Sequence, residues 1–192
     1  MKVLIVYAHP NPQSFNHAIL ESFSKGLKDT GHSFEVSDLY AMKFDPCFKL
    51  ADFAQYEGKP MPDDVLEQQK RVAEAEGLVF IYPIWWYDYP AILKGWIDRV
   101  LSHGFAYKMA EKGIEGLLKD KKVLLINTAL ADEAHYKTGI ENAMQTVMVH
   151  AGLKDVCGIQ NAEHTFFYGV GAVDKEILKK YLETAYRLGK EF

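Results

Sequence analysis

The stretch Ala8-His9-Pro10-Asn11-Pro12-Gln13-Ser14-Phe15-Asn16 stops where a helical apolar period begins. A helix starting near Ser14 presents unpaired N–H groups and the positive end of its dipole, a ready seat for a phosphate. His9, the Ser14 hydroxyl and the Asn16 amide can add hydrogen bonds to phosphate oxygens. Without a ligand, Ser14 reads as an ordinary N-cap and His9 as a loop residue. A second stretch, Tyr82-Pro83-Ile84-Trp85-Trp86-Tyr87-Asp88-Tyr89-Pro90, holds five aromatic residues in nine positions. These aromatics straddle a turn instead of following helical spacing, which favours a walled pocket over plain core packing. Flat apolar walls with backbone donors and acceptors suit a planar heteroaromatic ligand such as a flavin ring.

Other chemistries lack their residues. No glycine falls in the first stretch, so neither GxGxxG nor GxxxxGK[ST] is present there. There is no HExxH, no GxSxG elbow and no His/Cys cluster at metal-ligand spacing, so no metal is expected. Cys47 and Cys157 are the only cysteines and read as two buried thiols of a reducing compartment. Lys plus Arg is 22 against 26 for Asp plus Glu, a net −4 with no basic excess to attract nucleic acid. The longest uncharged apolar stretch, Leu78 to Tyr87, is ten residues, well short of the roughly 18 of a membrane span. The start runs from Met1-Lys2 straight into Val3-Leu4-Ile5-Val6 with no leader-like cleavage site. A cytoplasmic chain forming a single domain over residues 1–192 is the expectation.

The elements that would position these residues alternate between strand and helix. Val3 to Tyr7 and Leu78 to Tyr82 are continuous apolar runs, read as strands covered on both faces. Ala18, Ile19, Phe23 and Leu27 form a helical stripe that Gly31 ends. Phe34 and Val36 mark a half-buried strand, and Asp38 to Asp63 is a long excursion with three prolines. Val65 to Glu76 reads as a charged helix, and Pro90 opens a helix whose stripe is Ile92, Leu93, Trp96, Ile97, Val100 and Leu101. Glu111 to Lys122 reads as a solvated loop, Val123 to Ile126 as a strand, and Thr138 to His150 as a helix. A weaker strand is expected near Val156 to Ile159, and Ile177, Leu178, Tyr181, Leu182 and Ala185 mark the closing helix. The pattern predicts an α/β, flavodoxin-like fold: a five-stranded parallel sheet, order 2-1-3-4-5, with helices on both faces. The ligand crevice then lies beyond strands one and three, where the loops Ala8 to Gln13, Pro83 to Tyr89 and Asn127 to Tyr136 meet.

At these residues the sequence resembles the flavin-dependent NAD(P)H:quinone oxidoreductases, the DT-diaphorase family. It is most similar to the short bacterial members, which include modulators of drug activity and potassium-efflux ancillary proteins. The matching blocks are Ala8-His9 with Ser14-Phe15-Asn16, then Ser37-Asp38-Leu39-Tyr40-Ala41-Met42 with Phe44-Asp45-Pro46. They continue with Tyr82-Pro83 and Trp86, Pro90-Ala91-Ile92-Leu93-Lys94-Gly95-Trp96, Asp98-Arg99-Val100 and Gly104-Phe105-Ala106-Tyr107.

The resemblance implies a homodimer whose sites borrow side chains from the partner subunit, and two-electron reduction of quinone-like acceptors by NAD(P)H. It implies FAD, or alternatively FMN, with His9, Ser14, Phe15, Asn16 and Ala18 at the phosphate and Pro83, Ile84, Trp86 and Tyr87 along the ring. Trp85 occupies the variable position between them, and Phe105 and Tyr107 would wall the pocket where NAD(P)H and acceptor alternately stack. The family's Thr-Thr-Gly-Gly is here Asn127-Thr128-Ala129-Leu130, and its catalytic Tyr and His fall near His135 or Tyr136 and near Glu141. A shared pocket implies ping-pong kinetics. Two other readings use the same fold: a flavodoxin-like electron carrier, against which the modest −4 argues, and a flavin-binding ancillary subunit of a transporter.

Overall fold

The computed structural model describes residues 1–192. In chain order the strands are Lys2–Tyr7 (β1), Ser33–Asp38 (β2), Gly77–Pro83 (β3), Tyr107–Ala110 (β4), Gly113–Gly116 (β5), Lys122–Thr128 (β6) and Asn161–Phe167 (β7). Five of them form a parallel sheet in the spatial order β2-β1-β3-β6-β7. Because β4 and β5 pair only with each other, as an antiparallel hairpin, this is the expected 2-1-3-4-5 winding with a hairpin inserted. The helices are Phe15–Asp29 (α1), Ala54–Glu57 (α2), Asp63–Glu74 (α3), Ala91–Val100 (α4), Glu133–Tyr136 (α5), Ile140–Met144 (α6) and Lys175–Glu191 (α7).

The two-residue period of the strands sorts the core into two layers. Val3, Ile5, Val79, Ile81, Leu124 and Ile126 face Ile19 and Phe23 of α1 and Ala185 of α7. Leu4, Val6, Leu78, Phe80, Val123 and Leu125 face Val65 and Val72 of α3 and Trp96 of α4, together with Met148 and Leu153. Helices covering both faces are why β1 and β3 carry apolar residues without alternation. On the first face α1 and α7 come into backbone contact: a Cβ on Gly26 would lie 2.2 Å from the Tyr186 carbonyl oxygen, and one on Gly189 the same distance from that of Phe23.

Four expectations need correcting. The last strand is Asn161–Phe167, not Val156 to Ile159, where the chain instead leaves a helix and turns through Gly158 at a φ of 80°. Ile159 is fully buried without belonging to a strand, so the apolar run marks packing and not pairing. The helix expected over Thr138 to His150 is α6 followed by a π-helical segment, Gln145–Val156, for which sequence period gives no separate signal. Part of the loop Glu111 to Lys122 is β5. Cys157 is buried as expected, but Cys47 is exposed. The excursion between Asp38 and Asp63 is tied down by α2 and a 3₁₀ turn, Leu50–Phe53.

Candidate active site

Beyond the carboxyl ends of β1, β3 and β6 lies a cavity of about 1040 Å³. Its floor at one end is the start of α1, lined by His9, Ser14, Phe15 and Asn16. Ser14 is the N-cap, its Oγ accepting from the His17 N–H at 3.2 Å. Its hydroxyl hydrogen is left for the Tyr7 oxygen, 3.3 Å away, or for a ligand. The next two amides, of Phe15 and Asn16, donate to nothing in the chain. His9 Nδ1 lies 3.0 Å from the Asn11 N–H and 3.2 Å from the Asn11 carbonyl oxygen, and in the tautomer where Nδ1 accepts from that N–H, Nε2 carries the proton and is a further donor. Burial lowers the His9 pKa, against the backbone bond to Asn11 that works the other way. Asn16, 4% exposed, donates from Nδ2 to Thr128 Oγ1 at 2.9 Å and leaves its amide oxygen without a partner. Turning that amide over lets the oxygen accept from the Thr128 hydroxyl and frees Nδ2 to donate. Everything spare at this end is a donor or can become one, which is what an anion requires.

The opposite wall is made of Pro83, Ile84, Trp85, Trp86 and Tyr87. Trp85 and Asp88 exchange backbone hydrogen bonds at 3.2 and 3.1 Å, closing a tight turn over Trp86 and Tyr87. Both central residues lie in the left-handed region, with φ of 51° and 61°. Bulky side chains there cost on the order of 1–3 kcal/mol each and persist where the surroundings impose them, typically at functional sites. The turn leaves the Trp86 and Tyr87 N–H groups unpaired beside an indole that is 95% exposed. Free donors beside an aromatic plane fit the polar edge of a flat heterocycle.

The third wall follows β6. Thr128, Ala129, Leu130, Ala131 and Tyr136 line it, with Val170 from beyond β7. Neither Ala129 nor Leu130 takes a positive φ, so this loop accommodates side chains where the resembling family has glycines. It is held in place by Ala129 N–H donating to Phe167 O at 2.8 Å and Val170 N–H to Ala129 O at 2.9 Å. Tyr136 is 3% exposed, and burial and then the nearby Tyr87 raise its phenol pKa. His135 is exposed, with Nε2 3.2 Å from the Tyr87 hydroxyl. Glu141 stands behind this wall, accepting from Tyr168 OH and from Lys137 Nζ at 3.0 Å. Burial alone would raise its pKa, but Tyr168 and Lys137 outweigh that and hold it below the usual range.

Of the residues expected at the site, His9, Ser14, Phe15, Asn16, Pro83, Ile84, Trp85, Trp86, Tyr87, Thr128, Ala129 and Tyr136 line this one cavity. Ala18 lies a turn along α1 and does not. Asn127 points to the other face of the sheet, where its amide meets Tyr82 OH at 3.4 Å and His164 Nε2. Phe105 and Tyr107 pack by α4 and border the cavity from neither side within this chain. Leu130 and Ala131 also line the cavity, inside the loop Asn127 to Tyr136 expected at the crevice but not singled out as site residues, and Val170 lies outside all three expected loops. Their positions just past β6 and β7 are the signal that could have found them, and for Val170 that signal depends on placing β7 correctly.

A family model described as Flavodoxin-like fold matches residues 1–188. An NAD(P)H:quinone oxidoreductase from Methanothermobacter marburgensis is 37% identical and superposes with a TM-score of 0.90, over 99% of this chain and 98% of that one. This chain belongs to the NAD(P)H:quinone oxidoreductase family. A protein of Haemophilus influenzae, described as an uncharacterized NAD(P)H oxidoreductase, is 34% identical over 96% of this chain and 92% of its own. The NAD(P)H dehydrogenase (quinone) 1 of Cavia porcellus is 33% identical over 94% of this chain and 73% of its own. Within the family, the cavity described above is the feature that calls for a function.

Proposed function

We propose that this family member is a flavoprotein NAD(P)H dehydrogenase (quinone), and that the cavity beyond β1, β3 and β6 holds its flavin. The observation that carries the site assignment is the pairing of spare donors at the start of α1 with an aromatic turn whose own amides are unpaired. When bound, the flavin supplies the redox chemistry, taking a hydride equivalent from NAD(P)H and passing two electrons to a quinone.

The chain's own residues bind and orient. The Phe15 and Asn16 amides, the Ser14 hydroxyl, His9 Nε2 and the turned Asn16 amide hold phosphate oxygens at the positive end of α1. The cofactor in this reading is FAD, with FMN as the alternative, since the same cradle takes either phosphate. Pro83, Ile84, Trp85, Trp86 and Tyr87 flank the ring, and the Trp86 and Tyr87 amides stabilise negative charge developing at its polar edge. Ala129 and Leu130 close the opposite side and exclude water. Tyr136 in the third wall, His135 exposed beside it and Glu141 behind it are the candidate polar and acid–base groups.

Phe105 and Tyr107 reach the pocket from a second copy of the chain. The exposed apolar side chains Phe48, Phe53, Tyr56 and Met109 on the neighbouring surface support a homodimer. An acceptor that is a small planar quinone, a single domain over residues 1–192 and a cytoplasmic location complete the reading. The free thiol of Cys47 on the surface supports the location, and no helix is long and apolar enough to cross a membrane.

Steady-state kinetics tests the function. Purified chain loaded with FAD or FMN should take up about one equivalent of NAD(P)H per flavin without a quinone and turn over continuously only with one, giving parallel initial-rate lines because both substrates use one pocket in turn. Intersecting lines would contradict the shared pocket. Loaded protein that passes electrons to a one-electron protein acceptor but never turns over NAD(P)H would favour the carrier.

A further inference from the structure

Tyr107 sits on a hairpin that the main sheet does not hold, since β4 and β5 pair only with each other. His103, just beyond α4, fastens that hairpin to the excursion between Asp38 and Asp63. Its backbone N–H donates to Gln55 Oε1 at 2.8 Å, and its Nδ1 lies 3.2 Å from the Gln55 carbonyl oxygen. A carbonyl oxygen only accepts, so Nδ1 carries the proton and Nε2 accepts from the Met109 N–H at 3.4 Å. The imidazole therefore bridges α2 and β4. It also stacks on Tyr56, with ring centres 5.5 Å apart, and meets Tyr107 edge-on at 5.7 Å. Behind it, Gln55 Nε2 donates to the Asp52 carbonyl at 3.0 Å, and the Asp52 carboxylate accepts from Arg99 of α4 at 3.1 Å. Burial, then the neighbouring Tyr56 hydroxyl, push the Tyr107 phenol up to about 12. The Gly104 N–H, donating to the Tyr107 carbonyl at 2.7 Å, already ties down the backbone of this loop. What the imidazole adds is a fixed neighbour for the Tyr107 side chain.

We propose that His103 is a positioning residue for quinone reduction: it sets the direction of the Tyr107 ring where that ring walls the acceptor pocket of a second copy. The inference rests on the reading that sends Tyr107 into the partner's pocket. His103 touches neither flavin nor acceptor and acts through Tyr107. A flat acceptor is held by the planes on either side of it, so a wall ring that tilts or drifts leaves it poorly oriented for electron transfer. Misplacement by about 1 Å from a change remote from the chemistry can cost on the order of 100-fold in rate. The bridge from Gln55 to Met109 prevents that drift, because its two ring hydrogen bonds fix the imidazole in its own plane and the Tyr56 ring fixes it from one face.

Two variants test this. His103→Ala removes the bridge and the ring, whereas His103→Phe keeps a ring against Tyr56 and Tyr107 and removes both ring hydrogen bonds. Each is assayed with a benzoquinone, which must stack, and with ferricyanide, which takes one electron without stacking. Flavin uptake and sedimentation should match the wild type. The quinone KM should rise about tenfold in His103→Ala and about threefold in His103→Phe, while kcat and ferricyanide turnover change by less than about twofold. On a Tyr107→Ala background, His103→Ala should raise the quinone KM by less than about twofold further, because the ring it directs is gone. An unchanged quinone KM in flavin-loaded His103→Ala, an equal loss with ferricyanide, or full additivity with Tyr107→Ala would overturn the positioning role and leave the flavin reading intact. If His103→Ala does not fold, His103→Phe carries the same outcomes, alone and on the Tyr107→Ala background. A wild-type chain that reduces quinone as a monomer overturns the two-copy reading and this inference together. A wild-type chain that takes up no flavin overturns the cavity assignment as well.

Discussion

Two polar regions of this molecule are built on opposite plans. Around Arg99, which is 1% exposed, every N–H of the guanidinium is used. Asp52, fully buried, accepts from Nε and Nη2 at 3.1 Å, Asp64 accepts at 2.6 and 3.1 Å, and the Asp45 carbonyl accepts at 2.8 Å. Phe44 packs over the guanidinium at 5.4 Å, and Lys49 N–H closes on Asp52 at 2.6 Å. That cluster staples the excursion between Asp38 and Asp63 onto α4. At the cavity, by contrast, donors at Phe15, Asn16, Trp86 and Tyr87 go unpaired, two large residues sit at strained φ, and an indole lies bare. The first region spends all its polarity on itself. The second keeps it for something the chain does not contain.

Removing the centre of the self-satisfied cluster is the strongest way to break this contrast. Arg99→Met leaves Asp52 buried without its counter-charge and should destabilise the chain by roughly 3–5 kcal/mol, read from the urea midpoint. A loss under about 1 kcal/mol would mean that the cluster is ornamental.

His164 extends the contrast to the edge strand, since its Nδ1 is buried without a partner and its pKa is lowered to about 3, chiefly by burial. Its ordinary value is about 6.5, so between those limits the unfolded chain binds more protons than the folded one. The neutral imidazole's contribution is fully present above about pH 6.5 and is lost as pH falls towards about 3. Thermal midpoints of His164→Gln across that window should fall less steeply than those of the wild type.

Trp86→Gly sharpens the contrast at the turn. It should stabilise the flavin-free chain by about 1 kcal/mol through relief of the left-handed backbone, while weakening flavin affinity. Thermal unfolding with and without flavin reads both effects. Ser14→Ala should have the smallest effect on stability, about 1 kcal/mol or less from the lost cap, together with weaker flavin binding. Its urea midpoint and a flavin titration separate the two.

The same contrast explains what the sequence made legible. Runs such as Leu78 to Tyr82 and stripes such as Leu93, Trp96 and Val100 announce themselves because burial imposes a local period. The crevice followed from strand order, and the aromatic turn and the N-cap stood out by residue type. β7 was displaced because its polar alternation, Asn161 to Thr165, suits a half-exposed edge strand and carries little apolar signal. Pairings over long separations have no local trace: nothing near Arg99 names Asp52, and nothing near Tyr87 names His135. Strain is equally silent, since Trp86 and Tyr87 are poor candidates for a left-handed turn on residue type alone.

Equilibrium titration of the flavin-stripped chain with FAD and with FMN, followed by quenching of flavin fluorescence, meets the central claim most directly. The structure predicts saturable uptake of one flavin per chain, with the emission quenched by Trp86 and its neighbours and the affinity reduced in Asn16→Leu. Fluorescence that stays at the level of free flavin at every protein concentration, with both cofactors, would contradict it.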